Sequence, residues 1–404
     1  MANSELVVDL IDQAVWERGV PYETFARLRA ESPVHWHPEP DGQGFWAVTR
    51  HADVKAISQN PTDFSSREKG VSRLDPATQD ELDQYRAVLI AMDPPEHRDL
   101  RGMVNKSFTP AGIAGLEGVV REYTRGVLDV ALEKGEIDFV ADYAANVPTH
   151  TISELMGVPE EDRNRLYELS NGLIDDQDPE VAPTADFRMT ASTEAFMIAQ
   201  RLAESDREAP GHTLTTQLLQ ADFAGRSLTD LEFNLFFIFL MVAGNETTRT
   251  AASGGLITLL EHPEAYAKVA ADPSLLPAAI EEMVRYWPPI HHFRRTAMRD
   301  LELGGQQIRE GDKVLMWYPA ANRDEEMFAN PNTFDITRDP NEHLSYGVGE
   351  HFCLGASLAR LELRVMFEEL LSRVDKIEML APPRRLRSNL INGIKEMRVQ
   401  LTPR

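Results

Sequence analysis

Apolar and polar positions follow two rhythms along this chain. Over Pro21 to Arg29 the apolar residues recur at helical spacing, whereas GFWAVTRH, beginning at Gly44, carries the aromatic and β-branched residues of a strand. From about Pro94 to Ala279 the helical rhythm dominates. Asp93 stands ahead of Pro94 and Pro95, with Glu96 placed to complete a capping box. A second box, Thr229 with Glu232, opens the run LFFIFLMVAG from Leu235 to Gly244 and predicts a long helix reaching about Leu260. Pro263 starts another, and a further helix ends before Pro288 and Pro289. Strand signals return in HFRRTA, LELGGQQI and KVLMWY, around glycine turns. Asn322 to Gly349 is rich in Asn, Asp, Pro and Gly yet contains Phe328, Phe334 and Leu344, so it reads as irregular chain packed against the body. A last helix, about Leu354 to Arg373, carries Leu354, Leu358, Leu361 and Val365 at helical spacing. The pattern predicts a mainly α protein with a smaller β-rich region.

No low-complexity linker or repeat divides the 404 residues, so residues 1–404 read as one domain. A single cysteine excludes an intrachain disulfide, and the first thirty residues lack a basic segment followed by an apolar run; both point to the cytoplasm. LFFIFLMVAG falls short of the roughly 18 apolar residues of a membrane span. Asn245 and Glu246 end it, which suits a buried helix. A net charge of -24, from 65 acidic and 41 basic side chains, disfavours nonspecific attraction to nucleic acid or anionic lipid.

Candidate chemistry gathers in a few places. In YGVGEHFCLG, Gly347 and Gly349 permit a tight turn before Cys353, and Gly355 permits close backbone approach after it. Cys353 also lies at a predicted helix start, where the dipole favours a thiolate. These residues leave a structural cysteine, a nucleophile and a metal ligand all open; one cysteine cannot by itself build a zinc or iron–sulfur site. In AGNETTR, Glu246 and Thr247 interrupt an apolar helix face, where polarity requires water or a partner. A hydroxyl there can relay a hydrogen bond, and a carboxylate can move protons to it. Glu282 and Arg285 are three apart and His97 and Arg101 four apart, so each pair shares a helix face.

The chain resembles the cytochrome P450 family over essentially its whole length. The family pattern Phe-x-x-Gly-x-x-x-Cys-x-Gly is matched by Gly349, Cys353 and Gly355, with Tyr346 in place of Phe. The resemblance implies that fold, and haem b held by the Cys353 thiolate, whose push of charge favours O–O cleavage. It places Glu246 and Thr247 beside bound O₂, and His97, Arg101, Arg295 and His351 on the haem propionates, with Arg294 competing for the Arg295 assignment. It makes Glu282, Arg285 and Arg338 a structural lock. It brings Phe239, Val242, Ala243, Ile290, His291, Phe293 and Ile391 over the haem as a substrate pocket, to which His291 and His292 add polarity; the mixed, acidic stretch from about Gly70 to Tyr85 reads as a mobile entrance. The implied reaction uses O₂, two electrons and two protons to hydroxylate a hydrophobic substrate. A steroid or related alicyclic lipid stands ahead of terpenoids and branched fatty acids, and AGNETTR in particular is similar to bacterial groups acting on such molecules. Electrons come from a separate ferredoxin with its reductase, docking near Arg98, Lys106, Arg360 and Arg364. Alternatives are peroxide use, desaturation, ring coupling, or a haem-binding sensor without turnover.

Overall fold

A helix of 32 residues, Asp230–Glu261, forms the axis of the molecule. Its start is the expected box: the Thr229 hydroxyl accepts from the Glu232 N–H at 3.3 Å, and the Glu232 carboxylate accepts from the Thr229 N–H at 2.8 Å. Beyond that first turn it is buried on most sides, as an interior helix must be. Helices Asn146–Met156, Glu160–Ile174, Phe187–Glu208, Leu276–Tyr286 and Ala356–Arg373 pack around this central helix. The protein is a computed structural model that describes residues 8–40, 42–174, 178–182, 184, 187–223 and 225–404.

The β-rich region flanks this bundle. Its five-stranded sheet runs in the order Val34–His37, Phe45–Val48, Lys313–Trp317, His292–Ala297 and Phe64–Ser65. Neighbouring strands are antiparallel except Phe45–Val48 against Lys313–Trp317. One face packs Val314 and Met316 with Val34, Val48 and Phe64; the other packs Leu315 and Trp317 with Trp16, Phe25 and Phe45. Register pairs Arg294 with Leu315 and Arg295 with Val314, so the pleat sends the two arginines to opposite faces. That separation decides which arginine can serve the site.

The segment from Asn322 to Gly349 is ordered around one buried carboxylate. Arg285 donates to both oxygens of Glu282 at 2.7 Å, and its remaining donors reach the carbonyls of Asn322, Pro331 and Thr333 at 2.7 to 3.2 Å. Glu282 also accepts from Arg338 Nε at 3.1 Å, the Asp335 N–H at 2.9 Å and Asn341 Nδ2 at 3.1 Å. Phe328, Phe334 and Leu344 are buried, as their isolation in a polar stretch predicts.

One cap departs from expectation. The helix Glu96–Val104 begins after Pro95 without a side-chain cap. Asp93 instead binds the Ser65 hydroxyl and the Ser66 N–H, and Glu96 pairs with Arg67. A tertiary partner took each carboxylate away from the local turn.

Candidate active site

Cys353 ends a tight loop. Gly347 and Gly349 adopt φ of 68° and 78°, and a Cβ at Gly349 would lie 2.7 Å from the Ser58 carbonyl oxygen. Gly355 differs: its φ is -84°, and no protein atom would lie within 4 Å of an added Cβ, so no protein contact demands glycine there. Its N–H instead serves the Cys353 sulfur. The Cys353 N–H donates to the Tyr346 carbonyl at 2.7 Å, and the following helix starts at Ala356. Burial pushes the thiol up; the Gly355 N–H, Arg101 and Arg360 pull it down by less. The helix start therefore does not produce a thiolate unaided, whereas a cationic metal would. Cys353 keeps accessible surface even though the surrounding protein desolvates its thiol.

Four donors from three segments gather near one another. The rings of His97 and His351 lie 4.4 Å apart. His351 Nε2 is 3.1 Å from the Ser66 hydroxyl, and the same ring hydrogen-bonds the Met92 backbone. Arg101, one turn after His97, reaches the Glu350 carbonyl at 3.4 Å, and Arg295 donates to the Arg294 carbonyl at 2.8 Å. Burial, with Arg101 next, pushes His97 down to about 4; burial, with Arg295 next, pushes His351 down to about 2. Both imidazoles are therefore neutral at pH 7, while the half-buried guanidinium of Arg101 and the buried one of Arg295 leave two positive charges. His97 Nδ1 is buried without a partner. This donor set, with one soft sulfur, fits a dianionic group that carries a metal. Among the described residues no cluster of His, Cys, Asp and Glu could hold a metal by itself. Arg294 is not a rival: it turns to Asp75 at 2.6 Å on the other face of the sheet.

The central helix presents two kinds of surface here. Phe239, Val242, Ala243 and Thr247 are partly accessible, and their spacing traces one stripe. The Thr247 hydroxyl donates back to the Ala243 carbonyl at 2.8 Å. Glu246 lies on a different face and is 2% exposed; Arg249 pairs with it and the Thr250 hydroxyl is 3.3 Å away. Arg249 continues to Tyr167 Oη at 3.0 Å and Asn171 Oδ1 at 3.1 Å on the helix Glu160–Ile174. Asn245 ties the central helix to two others, accepting from Thr149 of Asn146–Met156 at 2.9 Å and donating to Ser170 of Glu160–Ile174 at 3.2 Å.

Ile290 and Ile391 form an antiparallel bridge, and Phe293 lies edge-on to Tyr318 with ring centroids 6.2 Å apart. His291 departs from its predicted place. Its ring packs on Trp16 at 4.4 Å, as that of His292 does on Trp317 at 4.6 Å, so these histidines fill the N-terminal core. The segment from Gly70 to Tyr85 is tethered by Arg73 to Glu39 and by Asp75 to Arg294 and Lys313, and it includes most of a helix, Gln79–Arg86, capped by Thr78. Three of the four suggested docking cations already have carboxylate partners: Arg98 with Glu350, Arg360 with Glu281, and Arg364 with Glu117 and Glu368. Lys106 is exposed. The Tyr346 hydroxyl is buried without a partner, and the Arg360 guanidinium lies over its ring at 4.4 Å.

Sequence reasoning passed over Ser66, Arg249 and Glu362. Only Arg249 had a signal, its place one turn after Glu246. Glu362 is pushed up to about 8 by burial, against hydrogen bonds from Thr248 and Thr151.

Comparison with known proteins agrees with this geometry. The Cytochrome P450 family model matches residues 16–389. A steroid C26-monooxygenase of Rhodococcus jostii is 39% identical over 402 residues, covering 97% of this chain and 84% of the relative. A linalool 8-monooxygenase of Pseudomonas putida is 37% identical, covering 98% and 99%. The solved structure of a Mycobacterium marinum cytochrome P450 in complex with pseudoionone superposes with a TM-score of 0.91 at 37% identity, covering 98% of each chain. An accessible cysteine whose thiol the protein desolvates, a four-donor set suited to a dianion and family-level similarity along almost the whole chain converge: the protein belongs to the cytochrome P450 family of haem b monooxygenases.

Proposed function

We propose that this monooxygenase hydroxylates the branched end of a steroid side chain or of a related isoprenoid, with electrons from a separate ferredoxin and its reductase. Relatives named for steroid C26 and linalool C8 support the substrate class, because both positions are terminal methyl groups of branched chains. The observation that carries the reading is the stripe Phe239, Val242, Ala243 and Thr247, three apolar side chains and one hydroxyl that stay partly accessible on an otherwise buried helix.

Cys353 would ligate haem b, with the Gly355 N–H on the sulfur, while His97, Arg101, Arg295 and His351 would hold its propionates. Haem b supplies the binding and reductive cleavage of dioxygen. The chain's own part is positional. Phe239, Val242, Ala243, Ile290, Phe293 and Ile391 would exclude water and orient the substrate. Thr247 would hold a proton at Oγ1 after leaving the Ala243 carbonyl, and Glu246 would resupply it through water. Glu282, Arg285 and Arg338 would keep the segment before Cys353 in place.

The test is a titration of the low-spin to high-spin change with steroids, terpenoids and fatty acids, followed by product analysis with reconstituted ferredoxin. Steroids or terpenoids should bind tightest and yield terminal alcohols; tightest binding of straight-chain fatty acids would overturn the substrate class. Cys353→Ala should abolish the thiolate-type spectrum of the reduced carbon monoxide complex, and an unchanged spectrum would remove the ligand assignment.

A further inference from the structure

A branched chain end offers two kinds of C–H bond side by side. The hydrogen on the tertiary carbon is the easier to abstract, so oxidising the neighbouring methyl group requires walls that hold the chain end in one orientation. The choice of carbon therefore has to be built into whatever fixes those walls.

Ile290 and Ile391 meet in such a wall. Phe293 stands two residues before Arg295 and shares its face of the strand, and Ile290 packs on the same apolar cluster as Phe293. Ile391 joins Ile290 through a single antiparallel bridge. The His291 N–H donates to the Leu390 carbonyl at 2.7 Å, and the Asn392 N–H donates to the Pro289 carbonyl at 2.9 Å. That pattern makes the two isoleucines a non-hydrogen-bonded pair, the kind whose side chains approach more closely. The ladder cannot continue past them, because Pro288 and Pro289 have no N–H to give.

Asn392 stands in for the missing rungs. Its Nδ2 donates to the Pro288 carbonyl at 3.1 Å, its carbonyl accepts from Trp287 Nε1 at 3.0 Å, and its Oδ1 accepts from Arg385 Nη2 at 2.7 Å. The Arg385 guanidinium also lies over the Trp287 ring at 4.5 Å, and Asn392 is 2% exposed. On the near side of the bridge the Ser388 hydroxyl accepts from the Leu390 and Ile391 N–H groups, each at 3.1 Å. One buried side chain thus joins two segments far apart in the chain at the point where prolines deny them a sheet.

We propose that Asn392 is a positioning residue for regiochemistry: by tying Ile391 to Ile290 it sets the wall that admits a terminal methyl group to the reacting position and keeps the neighbouring tertiary carbon away. Its own polar groups are turned to protein, so it acts through the two isoleucines. This inference deepens the substrate reading above and rests on it.

The experiment compares Asn392→Asp and Asn392→Ala with the wild type, and repeats Asn392→Asp in a background of Ile290→Ala with Ile391→Ala. Asn392→Asp keeps the shape and the acceptor for Arg385 but sets an oxygen against the Pro288 carbonyl, so it decides the matter if Asn392→Ala fails to fold. Thr229→Ala, which removes the cap of the central helix, is the control for lost stability alone. Each holoprotein is first checked for an intact reduced carbon monoxide spectrum, and cholesterol is the probe. Two readouts follow: the ratio of terminal to tertiary side-chain alcohol formed with ferredoxin and its reductase, and amide hydrogen exchange over residues 287–293 in the absence of turnover.

The wild type should form mainly the terminal alcohol. Both Asn392 variants should lower the ratio about three- to tenfold, the effect of one lost hydrogen bond, and should exchange faster in that segment. Thr229→Ala should leave both readouts unchanged. The double isoleucine variant should already show the lowered ratio, and Asn392→Asp should add nothing to it. A wild-type ratio in Asn392→Asp, a fall that Thr229→Ala shares, or an equal further fall in the double isoleucine background would each overturn the positioning role. A wild type that forms chiefly the tertiary alcohol, or no side-chain alcohol, would instead defeat the substrate reading, and the wall's assignment with it.

Discussion

Two buried polar clusters in this protein are built in opposite ways. Around Glu282, Arg285 uses every N–H of its fork on protein acceptors and the carboxylate receives donors from Arg285, Arg338, Asn341 and the Asp335 backbone. Around Cys353, the donors are partly or fully buried but unfinished. His97 Nδ1 and the Tyr346 hydroxyl have no partner, and Arg101 and Arg295 together bring two charges that meet backbone carbonyls. Buried polar groups cost free energy unless satisfied, so a cluster that closes on itself is architecture and one that stays open is shaped for a ligand. Interior position alone does not tell the two apart; the accounting of donors and acceptors does.

Breaking the closed cluster should have the largest effect. Glu282→Ala strands Arg285 in the interior and should cost about 3–5 kcal/mol, read as the urea midpoint of the holoprotein; a midpoint near the wild-type value would mean the cluster is not the lock described.

The open cluster should respond in ligand affinity instead. Arg295→Leu and His97→Phe should each speed haem transfer to a scavenger about 10- to 100-fold, the equivalent of roughly 1.5–3 kcal/mol for a charge-assisted hydrogen bond. Their urea midpoints should move far less than that of Glu282→Ala. Equal loss of stability in both sets would erase the distinction.

Glu362 lies between the two cases, being buried with hydrogen bonds from the Thr248 and Thr151 hydroxyls. Its folded pKa of about 8 stands above an ordinary carboxylate at 4.5. Between those values the folded state keeps a proton that the unfolded chain has lost. Stability should therefore fall as pH rises through that window and level off above about 8, by on the order of a few kcal/mol. Glu362→Gln should flatten the dependence in a series of urea titrations, and an unaltered slope would assign it to other groups.

The smallest effect is expected at Tyr346. Removing its unpartnered hydroxyl in Tyr346→Phe relieves a buried unsatisfied group and should leave stability the same or higher by about 1 kcal/mol. A clear loss would show that the hydroxyl has a partner in the holoprotein.

Much of the architecture was legible in the chain because it is local. The Thr229 box, the proline boundaries at Pro263 and Pro288, and the isolated Phe328, Phe334 and Leu344 each act through near neighbours and appeared as read. Asp93 failed as a cap because its partners, Ser65 and Ser66, lie in a distant strand. His291 failed as a pocket residue because Trp16, far away in sequence, offered its ring a better surface. The carboxylates beside three of the suggested docking cations were equally hidden, because Glu350, Glu281 and Glu117 arrive from other segments.

By itself the sequence determined the helices and their limits, the turn before Cys353, and the residue types from which a haem-thiolate site could be made. Only the tertiary structure decided which of Arg294 and Arg295 faces the site, whose charge Glu246 meets, and which buried polar atoms remain open. Those outcomes depend on sheet faces and on partners far apart in the chain, where local spacing carries no information and desolvation makes each pairing decisive.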